Sequence, residues 1–387
     1  MTMNYTDRIT GVEPSATLTI SSLAKQLRSD GADVIDLSVG QPDFPTPQPI
    51  VDAGIDAMRD GHTGYTPSAG IPALRDAISE KLRGDGLSYD PDQIIVTPGA
   101  KQALYEVFQT LVATGDEVVL LDPAWVSYEA MARLAGGSIR RVDLTPHAFR
   151  LEPALDELAA TVSDETTLLV VNTPSNPTGV VYSERALSGI RDLATDHDFS
   201  VISDEIYNQI VYEKPPRSLG TFPGMESRTI TINGFSKTYS MTGWRLGYLA
   251  GPHSFIEQAG KLQSHSVSCA TNFVQHAGIA ALTAVDDAVD TMVSEFETRR
   301  DHLVSRLRDA DVPVPATPGG AFYLMVPVRG DDVETCKRVL QEHHVATVPG
   351  SAFGAPGFAR LSYANSIDRV DDAVDRLLTT DYFVTAD

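Results

Sequence analysis

Five short runs rich in valine, isoleucine and leucine, at residues 93–97, 117–121, 167–172, 200–204 and 229–232, alternate with stretches of helical periodicity. Strand–helix alternation of this kind predicts an α/β layer structure built on a parallel sheet. A sixth run at 138–142 fits the same rhythm. The runs are apolar on both phases rather than alternating, as strands covered by helices on both faces must be. Each also stops at residues able to do chemistry. The run at 93–97 ends in Pro98-Gly99-Ala100-Lys101, and that at 117–121 in Asp122-Pro123-Ala124-Trp125. The run at 167–172 leads into Thr-Pro-Ser-Asn176-Pro-Thr-Gly179, that at 200–204 closes on Asp204-Glu-Ile-Tyr207, and that at 229–232 delivers Asn233-Gly-Phe-Ser236-Lys237.

In an open α/β sheet, ligands bind beyond the carboxyl ends of the strands. Gly99, Trp125, Asn176, Asp204 and Lys237 would therefore meet at one edge. A glycine at a strand-to-helix turn leaves backbone N–H groups free for a phosphate. Trp125 offers a flat platform for a planar ring. Prolines on both sides of Asn176 restrict where its amide can point. A lysine set just past a buried strand, among small residues, can present a neutral amine to a carbonyl. Taken singly, each has a plainer alternative: a solvated turn lysine, a helix cap for Asp204, an interface tryptophan. The convergence is what favours a site. A phosphate cradle, a ring platform, an aspartate, amide and phenol donors and a Schiff-base lysine together suit pyridoxal phosphate. The dinucleotide and nucleotide-phosphate loop motifs are absent.

The remainder of the chain predicts a second unit. A helix early in the chain precedes a strand at 34–39, and four prolines from Pro42 to Pro49 force an extended crossing that begins at Gly40. Residues 50–60 and 71–83 read as helices flanking a Gly/Pro-punctuated loop that carries Tyr65. Residues 253–310 are largely helical, followed by strands at 321–328 and 346–348, helices at 333–342 and 367–378, and Arg360 between them. The expected fold is α/β: a large domain at 41–282 with a mainly parallel seven-stranded sheet flanked by helices. A smaller α+β domain at 1–40 and 283–387 would be made from both chain ends.

Charge narrows the partners. Asp and Glu total 52 against 30 Lys and Arg, for a net charge of −22, and only 7 of the basic residues are lysines. An envelope so acidic repels nucleic acid and anionic membranes, and it suits a protein adapted to high salt, where self-repulsion is screened. Two cysteines without metal-type spacing predict free thiols in a reducing compartment and no metal site. The polar start of the chain and the lack of a long apolar stretch predict a cytoplasmic protein with no membrane association.

Residues 234–247, Gly-Phe-Ser-Lys-Thr-Tyr-Ser-Met-Thr-Gly-Trp-Arg-Leu-Gly, resemble the lysine signature of the class I pyridoxal-phosphate aminotransferases of fold type I. The likeness is greatest to the bacterial and archaeal aspartate aminotransferase branch and runs nearly the whole chain. It implies transamination through a Schiff base on Lys237 and a pyridoxamine form of the cofactor. By the same resemblance Asp204 would hold the pyridine nitrogen, Asn176 and Tyr207 the phenolic oxygen, and Trp125 the ring. Gly99, Ala100, Ser236 and Arg245 would form the phosphate cup, with Tyr65 reaching it across a homodimer whose active sites are shared. Arg360 would clamp the substrate α-carboxylate, with Gly40 contacting substrate by its backbone. The region 263–272 lacks the arginine that many family members use for a distal carboxylate. Lys101, Ser15 and Thr17 resemble the pocket residues of the branch that uses lysine instead, which implies aspartate or glutamate as donor and 2-oxoglutarate as acceptor. A broader or aromatic specificity, a β-lyase on the same fold, and a non-catalytic regulatory module are the alternatives, since fold alone does not settle chemistry.

Overall fold

The computed structural model describes residues 3–12 and 16–385, without the side chains of residues 16–18. Twelve strands occur among them: β1 (Ile35–Asp36), β2 (Ile94–Thr97), β3 (Glu117–Asp122), β4 (Ser138–Asp143), β5 (Thr166–Asn172), β6 (Ser200–Asp204), β7 (Thr229–Gly234), β8 (Gly247–Ala250), β9 (Tyr323–Pro327), β10 (Val345–Ala346), β11 (Val348–Pro349) and β12 (Phe358–Ser362). Seven of these form one sheet in the order β2-β8-β7-β6-β5-β3-β4. Pairings from β4 through β7 are parallel; β8 is antiparallel to both β7 and β2.

The double apolar phase of the strands explains this sheet. Val118, Leu120, Leu168, Val170, Ile202 and Ile232 pack against Ala103, Leu104, Val107 and Phe108 of the helix Ala100–Leu111. The intervening residues Val119, Leu121, Leu169, Val171 and Val201 face the opposite way, onto Leu187 and Ile190 of the helix Glu184–Asp196. Period-two alternation thus feeds two cores, one on each face. Register sets the working edge: Asn172 lies opposite Asp204, and Asp204 opposite Ile232, so the strand ends finish level. Because β8 runs the other way, its starting end lies at this edge, and Arg245 arrives there from upstream of the strand.

A second core joins the two chain ends. Ile35 and Leu37 pack with Tyr323, Leu324, Leu361 and Tyr363, and with Phe296, Leu303 and Leu307 of the helix Asp286–Asp309. Truncating Phe296, which is fully buried, would cost about 3–5 kcal/mol. Strands β11, β12 and β9 form an antiparallel sheet, and β1 pairs with β10 in parallel. The strand expected at 34–39 is shorter than its apolar pattern, since it meets only Val345 and Ala346. That expected at 346–348 is interrupted at Thr347, which separates β10 from β11.

The proline-rich crossing is pinned along its length. Arg299 Nη1 donates to Asp43 Oδ1 at 2.8 Å, and Phe44 meets Phe296 edge-on at 5.3 Å. Thr46 Oγ1 donates to Ser240 O at 2.7 Å and accepts from Trp244 Nε1 at 3.1 Å, tying the crossing to the loop that holds Lys237. No helix among the described residues is long and apolar enough to cross a membrane.

Candidate active site

Lys237 follows β7 by three residues, and its Nζ donates to the carbonyl of Gly40 on the crossing. Burial, together with the charges of Arg360, Arg245 and Lys101, lowers its pKa to about 8. The ammonium form still predominates at neutral pH, but a far larger share of the amine is unprotonated than in an ordinary lysine, as a lysine that must attack or shuttle protons requires.

Asp204 ends β6 with its carboxylate enclosed. Oδ2 accepts from Tyr128 Oη at 2.6 Å and Oδ1 accepts from the Ile206 N–H at 3.2 Å. Burial pushes its pKa up to about 6 against the opposing pull of Tyr128, Ile206 and Lys237. Such a group gains by facing a cation or a protonated ring nitrogen. Asn172 at the end of β5 braces both neighbours: its Nδ2 donates to Asp204 O at 2.9 Å, and its Oδ1 accepts from the Asn176 N–H at 2.8 Å.

Arg360, on β12, crosses from the smaller sheet into the same space. Nη1 donates to Asn176 Oδ1 at 2.9 Å and Nη2 to Ser38 O at 2.7 Å, whereas buried Nε has no partner. The guanidinium lies over the rings of Tyr323 (4.5 Å) and Phe353 (5.1 Å). Its pKa is lowered by burial. A buried arginine with donors to spare and only neutral acceptors is built for an arriving carboxylate.

At the other end of the site, Gly99 has φ +86° and caps the helix Ala100–Leu111. A side chain at Gly99 would meet Arg245 Nη2 at 2.6 Å, so the glycine lets the guanidinium close on the helix N-terminus. Arg245, at φ +54°, is held by Nη1 donating to Thr242 O at 2.8 Å. Gly247 allows β8 to approach the Ala100 N–H, and the Ser236 side chain is buried nearby in the chain. Backbone donors and a guanidinium fit a phosphate dianion. Trp125 is partly buried beside Tyr128 (ring centroids 5.4 Å, 81°), and Lys101 Nζ lies 4.7 Å from its ring centre. Partial desolvation and Arg245 lower the pKa of Lys101.

The donor set therefore fits the expected cofactor at each of its polar ends. Tyr65 stands apart, 92% exposed on its loop, with no hydrogen bond or ring contact to the cluster. Ser15 and the Thr17 side chain lie outside the described residues. Three participants went unanticipated. Tyr128 follows Trp125 by three residues across the start of a helix, a spacing that could have exposed it. Tyr323, whose Oη lies 3.0 Å from Tyr207 Oη, and Ser38, whose carbonyl binds Arg360, carry no local signal. No cluster of metal-ligating side chains occurs among the described residues.

Residues 32–377 match the family described as aminotransferase class I and II, and the chain belongs to that family. It is a pyridoxal-phosphate-dependent aminotransferase of α/β fold. It is similar to the aspartate aminotransferase of Thermotoga maritima, at 42% identity over 96% of this chain and 97% of that one. That of Geobacillus stearothermophilus is also 42% identical, over 97% and 98%. Among solved structures, the Thermus thermophilus aspartate aminotransferase with maleate superposes with a TM-score of 0.94 at 38% identity, covering 98% of this chain and all of that one.

Proposed function

We propose that the enzyme transaminates aspartate or glutamate with 2-oxoglutarate, using Lys237 as its catalytic lysine. One observation carries this reading: Arg245 closes on the helix N-terminus at Gly99, Lys101 Nζ lies 4.7 Å from the Trp125 ring centre, and Arg360 reaches Asn176, so that all three charges act on the Lys237 amine. Three cations at separate points of one pocket match three anionic groups, namely a cofactor phosphate, a substrate α-carboxylate and a distal carboxylate. The relatives' names, and the dicarboxylate maleate in the Thermus structure, support the same choice.

When bound, pyridoxal phosphate supplies an aldehyde for covalent attachment and a ring that accepts the electrons of a deprotonated α-carbon. Lys237 would hold the cofactor through Nζ and would carry the proton of the substrate α-carbon. Asp204, oriented by Tyr128 and Ile206, would hold a proton on the ring nitrogen. Tyr207 and Asn176 would donate to the phenolic oxygen, and Trp125 would cover the ring face. Gly99, Ala100, Ser236 and Arg245 would grip the phosphate. Arg360 would take the α-carboxylate beside Gly40, and Lys101 the distal one.

Tyr65 acts in the site of a second copy, which accounts for so large a side chain standing exposed. Light scattering should therefore give a homodimer. We assign residues 41–282 to a cofactor-binding domain, and 1–40 with 283–387 to a smaller one, on the strength of their separate sheets. The acidic surface points to a cytoplasm of high salt. The deciding test is a panel of amino donors with 2-oxoglutarate for the parent and Lys101→Ala. Aspartate should lose about tenfold to a hundredfold in kcat/KM while phenylalanine changes little. An unchanged aspartate value would remove the dicarboxylate reading.

A further inference from the structure

The hydroxyl of Tyr323 lies where three site residues meet. In the β9–β12 ladder Tyr323 pairs with Ser362, which makes Arg360 its diagonal neighbour on the same face. The ring is thereby sandwiched beneath the guanidinium at 4.5 Å, and the side chain is fully buried. A side chain at Gly40 would come within 3.2 Å of Tyr323 Oη, so the crossing backs the phenol closely. In front of it stands Tyr207 Oη at 3.0 Å, the two rings edge-on at 5.8 Å.

A phenol has one proton to donate. Under the assignment above, Tyr207 gives its proton to the cofactor's phenolic oxygen, so the Tyr207 oxygen is left to accept. Tyr323 is the neighbouring hydroxyl in hydrogen-bond range, and its ring cannot turn away while Arg360 and Gly40 enclose it. We infer that Tyr323 is a positioning residue that donates its proton to Tyr207, directs the Tyr207 proton onto the cofactor and strengthens that donation. The order is Tyr323 to Tyr207 to ligand, a two-phenol relay anchored on the smaller sheet and acting on the larger one. Hydrogen bonds in series polarise one another, so the second bond weakens when the first is lost.

The inference rests on the proposed role of Tyr207, and a double-mutant cycle in the cofactor-loaded enzyme separates the two. The readout is the pH midpoint of the bound cofactor's visible absorption change, with KM for aspartate and the melting temperature measured alongside. A weaker donor at the phenolic oxygen leaves more negative charge to hold the proton on the neighbouring Lys237 nitrogen, so the midpoint rises. Tyr323→Phe should raise it by about half a pH unit and leave KM within about twofold, because the ring beneath Arg360 is kept. Tyr207→Phe should raise it further, and the double variant should match Tyr207→Phe alone. An unmoved midpoint in Tyr323→Phe, or shifts that add in the double variant, would overturn the relay while leaving Tyr207 in place. If Tyr207→Phe itself leaves the midpoint unmoved, the assignment of Tyr207 falls, and the relay with it.

Discussion

Replacing Arg360 with methionine isolates what the buried guanidinium does. Of the five N–H donors in the fork, two are spent on Asn176 Oδ1 and Ser38 O, which leaves the unpartnered Nε and two more for a ligand. Two charge-assisted bonds to an α-carboxylate, at about 1.5–3 kcal/mol each less desolvation, place the loss near ~3–4 kcal/mol. That corresponds to a fall of about 10²–10³ in kcat/KM. The substrate-free protein should change little in stability. Loss of the two bonds to neutral acceptors costs about 1–3 kcal/mol, and removal of a buried cation with no facing carboxylate offsets a similar amount. Steady-state kinetics with aspartate, glutamate and phenylalanine, paired with thermal melts, give the test. Because every donor shares the α-carboxylate, all three should fall by one common factor at nearly constant melting temperature. A donor-dependent fall, or a loss of activity that tracks a lowered melting temperature, would refute the assignment.

Three further outcomes are expected. In the cofactor-free protein, the folded-state pKa of Asp204 stands at about 6, above its unfolded value of about 4. The fold thus binds that proton more tightly than the unfolded chain. The associated stability is complete below about pH 4 and declines as pH rises through 6, by about 3 kcal/mol; Asp204→Asn should flatten urea-unfolding stability over this window by that amount. Tyr128→Phe, by removing the 2.6 Å bond that favours the Asp204 anion, should move the same transition to higher pH. Raising salt from ~0.1 M to ~2 M should increase the melting temperature, since screening relieves repulsion among 52 carboxylates and 30 basic groups; a melting temperature independent of salt would contradict a high-salt adaptation.

The residues legible in the sequence share a cause. Strands covered on both faces must be apolar nearly throughout, so residues able to do chemistry stand out at or just beyond the ends of β3, β5, β6 and β7, and these include Trp125, Asn176, Asp204 and Lys237. Pairing register was not legible. It sets Asn172 level with Asp204, and it sets Tyr323 diagonal to Arg360 across two strands whose sequences say nothing of each other. For the same reason Arg245 could be tied to the phosphate end only by resemblance, because it reaches that edge through a reversal of strand direction at β8. The lowered pKa of Lys237 comes first from burial and then from Arg360, Arg245 and Lys101, which the fold brings together from distant parts of the chain. Tyr65 illustrates the opposite limit, since within one chain it remains exposed and its proposed work lies in another copy.

The central claim is that Lys237 carries the cofactor. Borohydride reduction of the enzyme loaded with pyridoxal phosphate, followed by peptide mass mapping, tests it directly. A single modified peptide is expected, its reduced cofactor mass on Lys237, with no modification of that peptide's counterpart in Lys237→Ala. Stable labelling at Lys101, or at another of the seven lysines with Lys237 unmodified, would contradict it.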